Sequence, residues 1–143
     1  VVEHIHPDDI QAHFDHAWRI LKDGGIYAFG TPHRFFGPAD ISLIFDCDTA
    51  QGMHLREYTF CELYTLARHA GFSGVELPGR SPFRICLLER LLDTDYIKKN
   101  LRRRLLHKLH FPSGIFMVCM KSQRTSLSRQ MMEKFLSLNP KVC

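Results

Sequence analysis

The chain has 143 residues, 45% of them hydrophobic and 24% charged, with a net charge of +4. That is one domain's worth of chain, apolar enough to bury a core, and it argues against disorder. No apolar run approaches the ~20 residues that a membrane span needs, and the charged start with Pro7 does not read as a secretory segment.

Charge is uneven along the chain. Lys98, Lys99, Arg102, Arg103, Arg104 and Lys108 follow one another with no acid between them, so the remainder is mildly acidic. The five cysteines, Cys47, Cys61, Cys86, Cys119 and Cys143, are odd in number and show no C-x-x-C spacing. Neither a disulfide framework nor a thiolate zinc site is expected, and a reducing cytoplasm fits best. Position 1 is Val rather than Met, which reads as a processed or cut start.

In chain order, Val1-Val2 reads as the end of a strand. Ile10, Phe14, Ala17, Trp18 and Leu21 fall on one face of a helix. Pro7, Asp8 and Asp9 suit its first turn, and Gly24-Gly25 is the expected stop. Ile26 to Gly30 predicts a short apolar strand covered on both faces. Pro32 to Tyr58 reads as a long loop, punctuated by Gly37-Pro38 and Gly52 and lined by Asp40, Asp46 and Asp48. Loops of this length are often lids.

Thr59-Phe60-Cys61-Glu62 has the form of a capping box. Leu63, Leu66, Ala67 and Ala70 give the buried stripe of the helix that follows, and Gly71 ends it. Gly74 to Leu77 predicts a strand. Ser81-Pro82 opens a third helix with Ile85, Leu88, Leu91 and Leu92 inward. Asp93-Thr94-Asp95 separates it from a fourth carrying Ile97, Leu101, Leu105 and Leu109. Ile115 to Met120 predicts a strand ended by Lys121, and Ser126 to Leu136 a tail helix.

Helices alternating with strands whose ends carry polar residues predict an open α/β sheet with a site at its edge. Several stretches resemble the C-terminal half of a class I S-adenosylmethionine-dependent methyltransferase of the small-molecule type. Val2-Glu3-His4-Ile5 resembles the Glu-His pair after that fold's fourth strand. Trp18-Arg19-Ile20-Leu21-Lys22-Asp23-Gly24-Gly25 resembles its "R-x-L-K-P-G-G" helix end, with Asp23 in the usual place of Pro. Phe29 to Arg34 resembles the end of its fifth strand. His54-Leu55-Arg56-Glu57-Tyr58-Thr59, with Glu62-Leu63 and Ala70-Gly71-Phe72, resembles its "H-x-x-E-[YF]-[ST]-x-x-E-L" lid and helix. The likeness is best over residues 1–77. It implies a helical insertion at 78–113, a last antiparallel strand at 114–121 and a tail at 122–143, all within one domain.

The implied fold is a partial Rossmann-like methyltransferase sheet, mostly parallel with a final antiparallel strand and helices on both faces. The implied activity is methyl transfer from S-adenosylmethionine to a small-molecule acceptor. The glycine-rich loop and ribose-binding acid that hold this cofactor are not in the chain, so the isolated 143 residues are expected to transfer nothing.

The acceptor side of such a sheet lies beyond the strand ends. His4 and His54 are the expected catalytic groups, since an imidazole can take a proton near neutral pH. Glu3, His33, Arg34 and Glu57 are expected to bind substrate, and Val2 to touch the cofactor. Plainer roles stay open beside these: His4 packing at a strand end, Glu3 bonding backbone N–H groups, Glu57 favouring a helix start, His33 and Arg34 as a solvated pair. No metal site is expected. His13 and His16 share a helix flank without an acidic ligand at metal spacing. The segment Lys98 to Lys108 admits a rival function, a non-catalytic module for an anionic surface, a membrane surface or a lipid-like acceptor. No aromatic alternates with its cations, so nucleic-acid binding is not favoured.

Overall fold

The computed structural model describes residues 1–76, 79, 81–93 and 99–122, with only the backbone of 99 and 100. Leu77, Thr94, Asp95, Ile97, Lys98 and the tail helix expected at 126–136 lie outside the described residues.

Four helices and three strands are described. The helices are α1 (Ile10–Ile20), α2 (Phe60–His69), α3 (Pro82–Leu92) and α4 (Lys99–Lys108). The strands are β1 (Ile26–Pro32), β2 (Gly74–Glu76) and β3 (Gly114–Met120), in the sheet order β1-β3-β2. β3 is central and antiparallel to both neighbours, from Ile26↔Met120 to Pro32↔Gly114 on one side and from Gly74↔Met120 to Glu76↔Val118 on the other. The expected mostly parallel sheet is therefore wrong. β1 and β2 point the same way, but β3 lies between them and every strand pairing in the sheet is antiparallel.

Two further expectations fail at the sheet. Val2–His4 form a single 3-10 turn rather than a strand end. β1 is not covered on both faces: Phe29 and Thr31 point inward, whereas Ile26 is 57% exposed. In β3, Ile115, Met117 and Cys119 are buried and Phe116 is 54% exposed. This period-2 alternation is the signature of a sheet with one packed face.

The core lies on that packed face. α1 buries Ile10, Phe14 and Ala17 at i, i+4 and i+7. Phe14 meets Phe29 edge-on with ring centroids 5.7 Å apart, and Tyr27 stacks on Phe29 at 5.1 Å. α1 ends at Ile20, before the expected glycines, where Leu21 turns extended. Lys121 Nζ donates to the Trp18 and Leu21 carbonyls at 3.0 and 2.8 Å and lies over the Trp18 ring. A cation thus satisfies carbonyls at the negative end of the helix.

α2 begins with the predicted capping box: Thr59 Oγ1 accepts from the Glu62 N–H, and Glu62 Oε2 accepts from the Thr59 N–H. It buries Phe60, Leu63 and Ala67 and packs on α1 and α3. α3 buries Ile85, Glu89 and Leu92 and leaves Leu91 exposed. In α4 the inward residue is Leu106, while Leu101, Leu105 and Leu109 face water. The helix is rotated because Arg102, one turn before Leu106, lies over the Phe35 ring at 4.6 Å. No helix among the described residues is long and apolar enough to cross a membrane.

Candidate functional site

Glu3 sits in the turn before α1, almost wholly buried. Its Oε2 accepts from Thr31 Oγ1 at 2.9 Å, which ties the turn to the end of β1, and from the Val1 ammonium at 2.6 Å. Loss of water pushes its carboxyl up. The hydrogen bonds from the Val1 ammonium, its own backbone and Thr31 outweigh that, so the pKa is lowered overall. The Glu3 carbonyl accepts from the Leu55 N–H at 2.8 Å and the Arg56 N–H at 3.3 Å. The turn therefore holds the end of the long loop by main chain.

Asp40 folds that loop back on itself. Its Oδ1 accepts from the Ser42 N–H, and its Oδ2 from the N–H groups of Gly52, Met53 and His54 at 3.0, 2.9 and 3.1 Å. What desolvation there is raises its pKa, but these bonds favour the carboxylate and hold it well below the usual range. Gly52 is required here, since a Cβ on it would fall 2.3 Å from Ile41 Cγ2.

His54 is thereby delivered to Glu3 and His4. Its Nδ1 lies 2.9 Å from Glu57 Oε1, which also accepts from the Ala39 N–H at 2.7 Å. His4 Nδ1 lies 2.9 Å from the Met53 carbonyl, and its Nε2 lies 3.4 Å from Glu3 Oε1. The His4 and His54 rings meet edge-on, centroids 5.1 Å apart. A carbonyl or carboxylate oxygen can only accept, so each Nδ1 carries its proton. In the neutral rings the lone pairs then sit on the Nε2 atoms. One ligand atom from each of Glu3, His4 and His54 lies within 4.8 Å of the other two.

The structure thus brings together Glu3, His4, His54 and Glu57, four of the seven residues singled out by the motifs. The other three are used elsewhere. Val2 is fully buried in the core. His33 is 1% exposed: its Nδ1 accepts from the Phe35 N–H, so its Nε2–H donates to Glu89 Oε1 at 2.8 Å. Arg34 donates to Glu62 at 3.3 Å and pairs with Asp93.

Three residues of this region have no expected role, although Tyr58 stands inside the lid motif. Asp40 reads as one acid among several in a loop. Glu89 is 2% exposed and accepts from His33 and from the Phe60 and Cys61 N–H groups at 2.9 and 2.7 Å. Its signal was its place at i+4 from Ile85, inside an apolar stripe. Tyr58 is buried and its hydroxyl has no hydrogen-bond partner among the described residues. Burial pushes its pKa up, partly countered by Arg56.

Three hollows surround these groups. A cleft of about 450 Å³ at the end of β1 is lined by Thr31, His33, Phe36 and Ala39. One of about 360 Å³ is lined by Arg34, Arg56, Glu57 and the loop residues Asp48 to Ala50. A larger one, about 540 Å³, lies between α1, α2 and α3 and is lined by Ile10, Tyr58, Glu62 and Leu66. None of the three is lined by Glu3, His4 or His54; Thr31, which donates to Glu3, lines the first, and Glu57, which holds His54, lines the second.

The basic segment is not an even cationic face. Arg102 donates to the Leu92 carbonyl and lies near Asp93, so it is turned inward. Lys98 lies outside the described residues. His13, half of the helix-flank pair, is bound to the Tyr27 hydroxyl at 2.8 Å, and burial lowers its pKa.

Compared with known proteins, the chain matches no protein-family model and no curated relative.

Proposed function

We propose that this chain is the acceptor side of an S-adenosylmethionine-dependent methyltransferase acting on a small molecule, as part of a larger domain. The observation that supports it is convergence. Glu3 and His4 come from one motif, His54 and Glu57 from another some fifty residues away, and they meet beside Thr31 at the end of β1.

The described residues do not make a cradle for the cofactor. Gly24 and Gly25, the chain's one adjacent glycine pair, have their N–H groups bound to the Lys121 and Lys22 carbonyls. No transfer step is therefore derived. The chain's own task is to position the acceptor and, for a hydroxyl, to receive its proton at a histidine Nε2. Glu57 and the Met53 carbonyl hold the two rings in the tautomer that leaves Nε2 able to do so. The site belongs in a reducing, cytoplasmic setting on this reading, in keeping with the free thiols of Cys47, Cys61, Cys86 and Cys119. The rival reading, a module for anionic surfaces, is weakened by the inward turn of Arg102.

Calorimetry and a methyl-transfer assay test the proposal together. The 143-residue chain should bind S-adenosylmethionine no more tightly than millimolar. The longest translation product that carries it should bind the cofactor and transfer methyl groups into a small-molecule extract. Tight binding by the short chain, or no transfer by the long one, contradicts the reading.

A further inference from the structure

We propose that Glu3, His4 and His54 form a three-ligand site for a divalent transition-metal cation of the zinc class, with coordination positions left open. The ligand atoms would be Glu3 Oε1, His4 Nε2 and His54 Nε2.

Three observations carry this. The first is the donor set. Two imidazoles and one carboxylate are the ligands of open, catalytic zinc and related transition-metal sites, and imidazole nitrogen disfavours magnesium and calcium. The second is the outer shell. Metal-bound histidines commonly donate their other N–H to a carboxylate or a backbone carbonyl. His54 does so to Glu57 and His4 to the Met53 carbonyl, at 2.9 Å each. Glu57 is in turn fixed by the Ala39 N–H. The third is spacing: His4 Nε2 and Glu3 Oε1 lie 3.4 Å apart, the separation of two ligand atoms around one such cation.

The geometry needs a modest closure. Ligand atoms that now lie within 4.8 Å of one another must approach to about 3.4 Å around a cation with bonds near ~2.1 Å. His4 is half exposed and can pivot about its bond to the Met53 carbonyl, whereas His54 is nearly buried and held by Glu57. Thr31 binds Oε2 of Glu3, and Oε1 is the oxygen turned to His4. Local spacing does not mark this cluster, because its residues come from two segments some fifty positions apart.

What the cation acts on rests on the methyltransferase reading: with both Nε2 atoms on the cation neither imidazole is the base, and the cation would instead hold an acceptor oxygen and lower the pKa of its proton, which passes to water. The site itself does not rest on that reading.

The test is direct binding of Zn2+ and Co2+ to the tag-free 143-residue chain, with no methyl donor present. One equivalent is expected, with a visible Co2+ ligand-field band. His54→Ala and Glu3→Gln should each weaken binding at least ~10-fold, Glu57→Gln ~10- to 100-fold through His54, and His16→Ala not at all. NMR of the unmutated chain gives a second readout: Zn2+ should move the Nε2 resonances of His4 and His54 and leave their Nδ1–H in place. Absence of stoichiometric binding, unchanged binding by His54→Ala, or zinc shifts confined to other histidines overturns the proposal. Failure here leaves a histidine base for the acceptor, and failure of methyl transfer leaves the metal site, so the two are separable.

Discussion

Gly37 and the carboxylate of Glu57 occupy neighbouring space so closely that a Cβ on Gly37 would lie 1.7 Å from Glu57 Oε2. Glu57 cannot simply swing aside, because its other oxygen holds His54 Nδ1 and the Ala39 N–H. The glycine is therefore a requirement of the site rather than of the backbone. Gly37→Ala should cost about 1–3 kcal/mol of overpacking and displace His54. Urea unfolding with the His54 imidazole NMR signals checks both. A variant of unchanged stability and unchanged His54 signals would show that Glu57 is not held as described.

Glu89 stands at the junction of α3, the start of α2 and His33. Glu89→Ala removes three accepted hydrogen bonds at once and should cost about 3–5 kcal/mol. Glu89→Gln places an amide NH2 where donors already point, and should also destabilise, by about 1–3 kcal/mol. Urea midpoints at constant slope measure these losses. A cost below about 1 kcal/mol for the alanine variant would mean that water replaces the carboxylate easily.

Tyr58→Phe deletes a buried hydroxyl with no partner among the described residues. Burying a polar group without a bond is unfavourable, so this variant should be neutral or more stable by up to about 1 kcal/mol. Thermal unfolding reads the difference. A loss beyond 1 kcal/mol would reveal a hydrogen bond to that hydroxyl.

Asp40 makes the loop acid-sensitive. Its folded pKa lies below the ordinary 3.8, so its contribution to stability is complete well above that value. It declines as pH falls through and below 3.8 and is gone once the folded carboxyl takes a proton. Glu3 and Glu62, also lowered, act in the same direction. Asp40→Asn should be less stable than the unmutated chain at pH 7, and the two should converge as the solution is acidified below about pH 4. Parallel stability curves with no convergence would contradict this.

Features set by neighbours in sequence were legible, and those set by distant partners were not. The stripe Ile10, Phe14, Ala17 and the capping box at Thr59 depend on helical spacing alone. The motifs also brought out Glu3, His4, His54 and Glu57, though not what joins them. That join is made by Asp40 and by the Glu3 carbonyl, through main-chain bonds that leave no mark on side-chain pattern. The placement of β3 between β1 and β2 is likewise a long-range pairing, and it reverses the expected sheet. The buried bond of His33 to Glu89 joins residues 56 positions apart, so no local pattern marks it. α4 was misread because Arg102 covers an aromatic ring where a leucine was expected.

The most direct measurement is transfer of labelled methyl groups by the longest translation product carrying this chain, compared with His54→Ala and His69→Ala. The account predicts that His54→Ala lowers transfer about 10²- to 10⁴-fold, with S-adenosylmethionine affinity unchanged, and that His69→Ala keeps full activity. Full transfer by His54→Ala, or none by the unmutated protein, would contradict it.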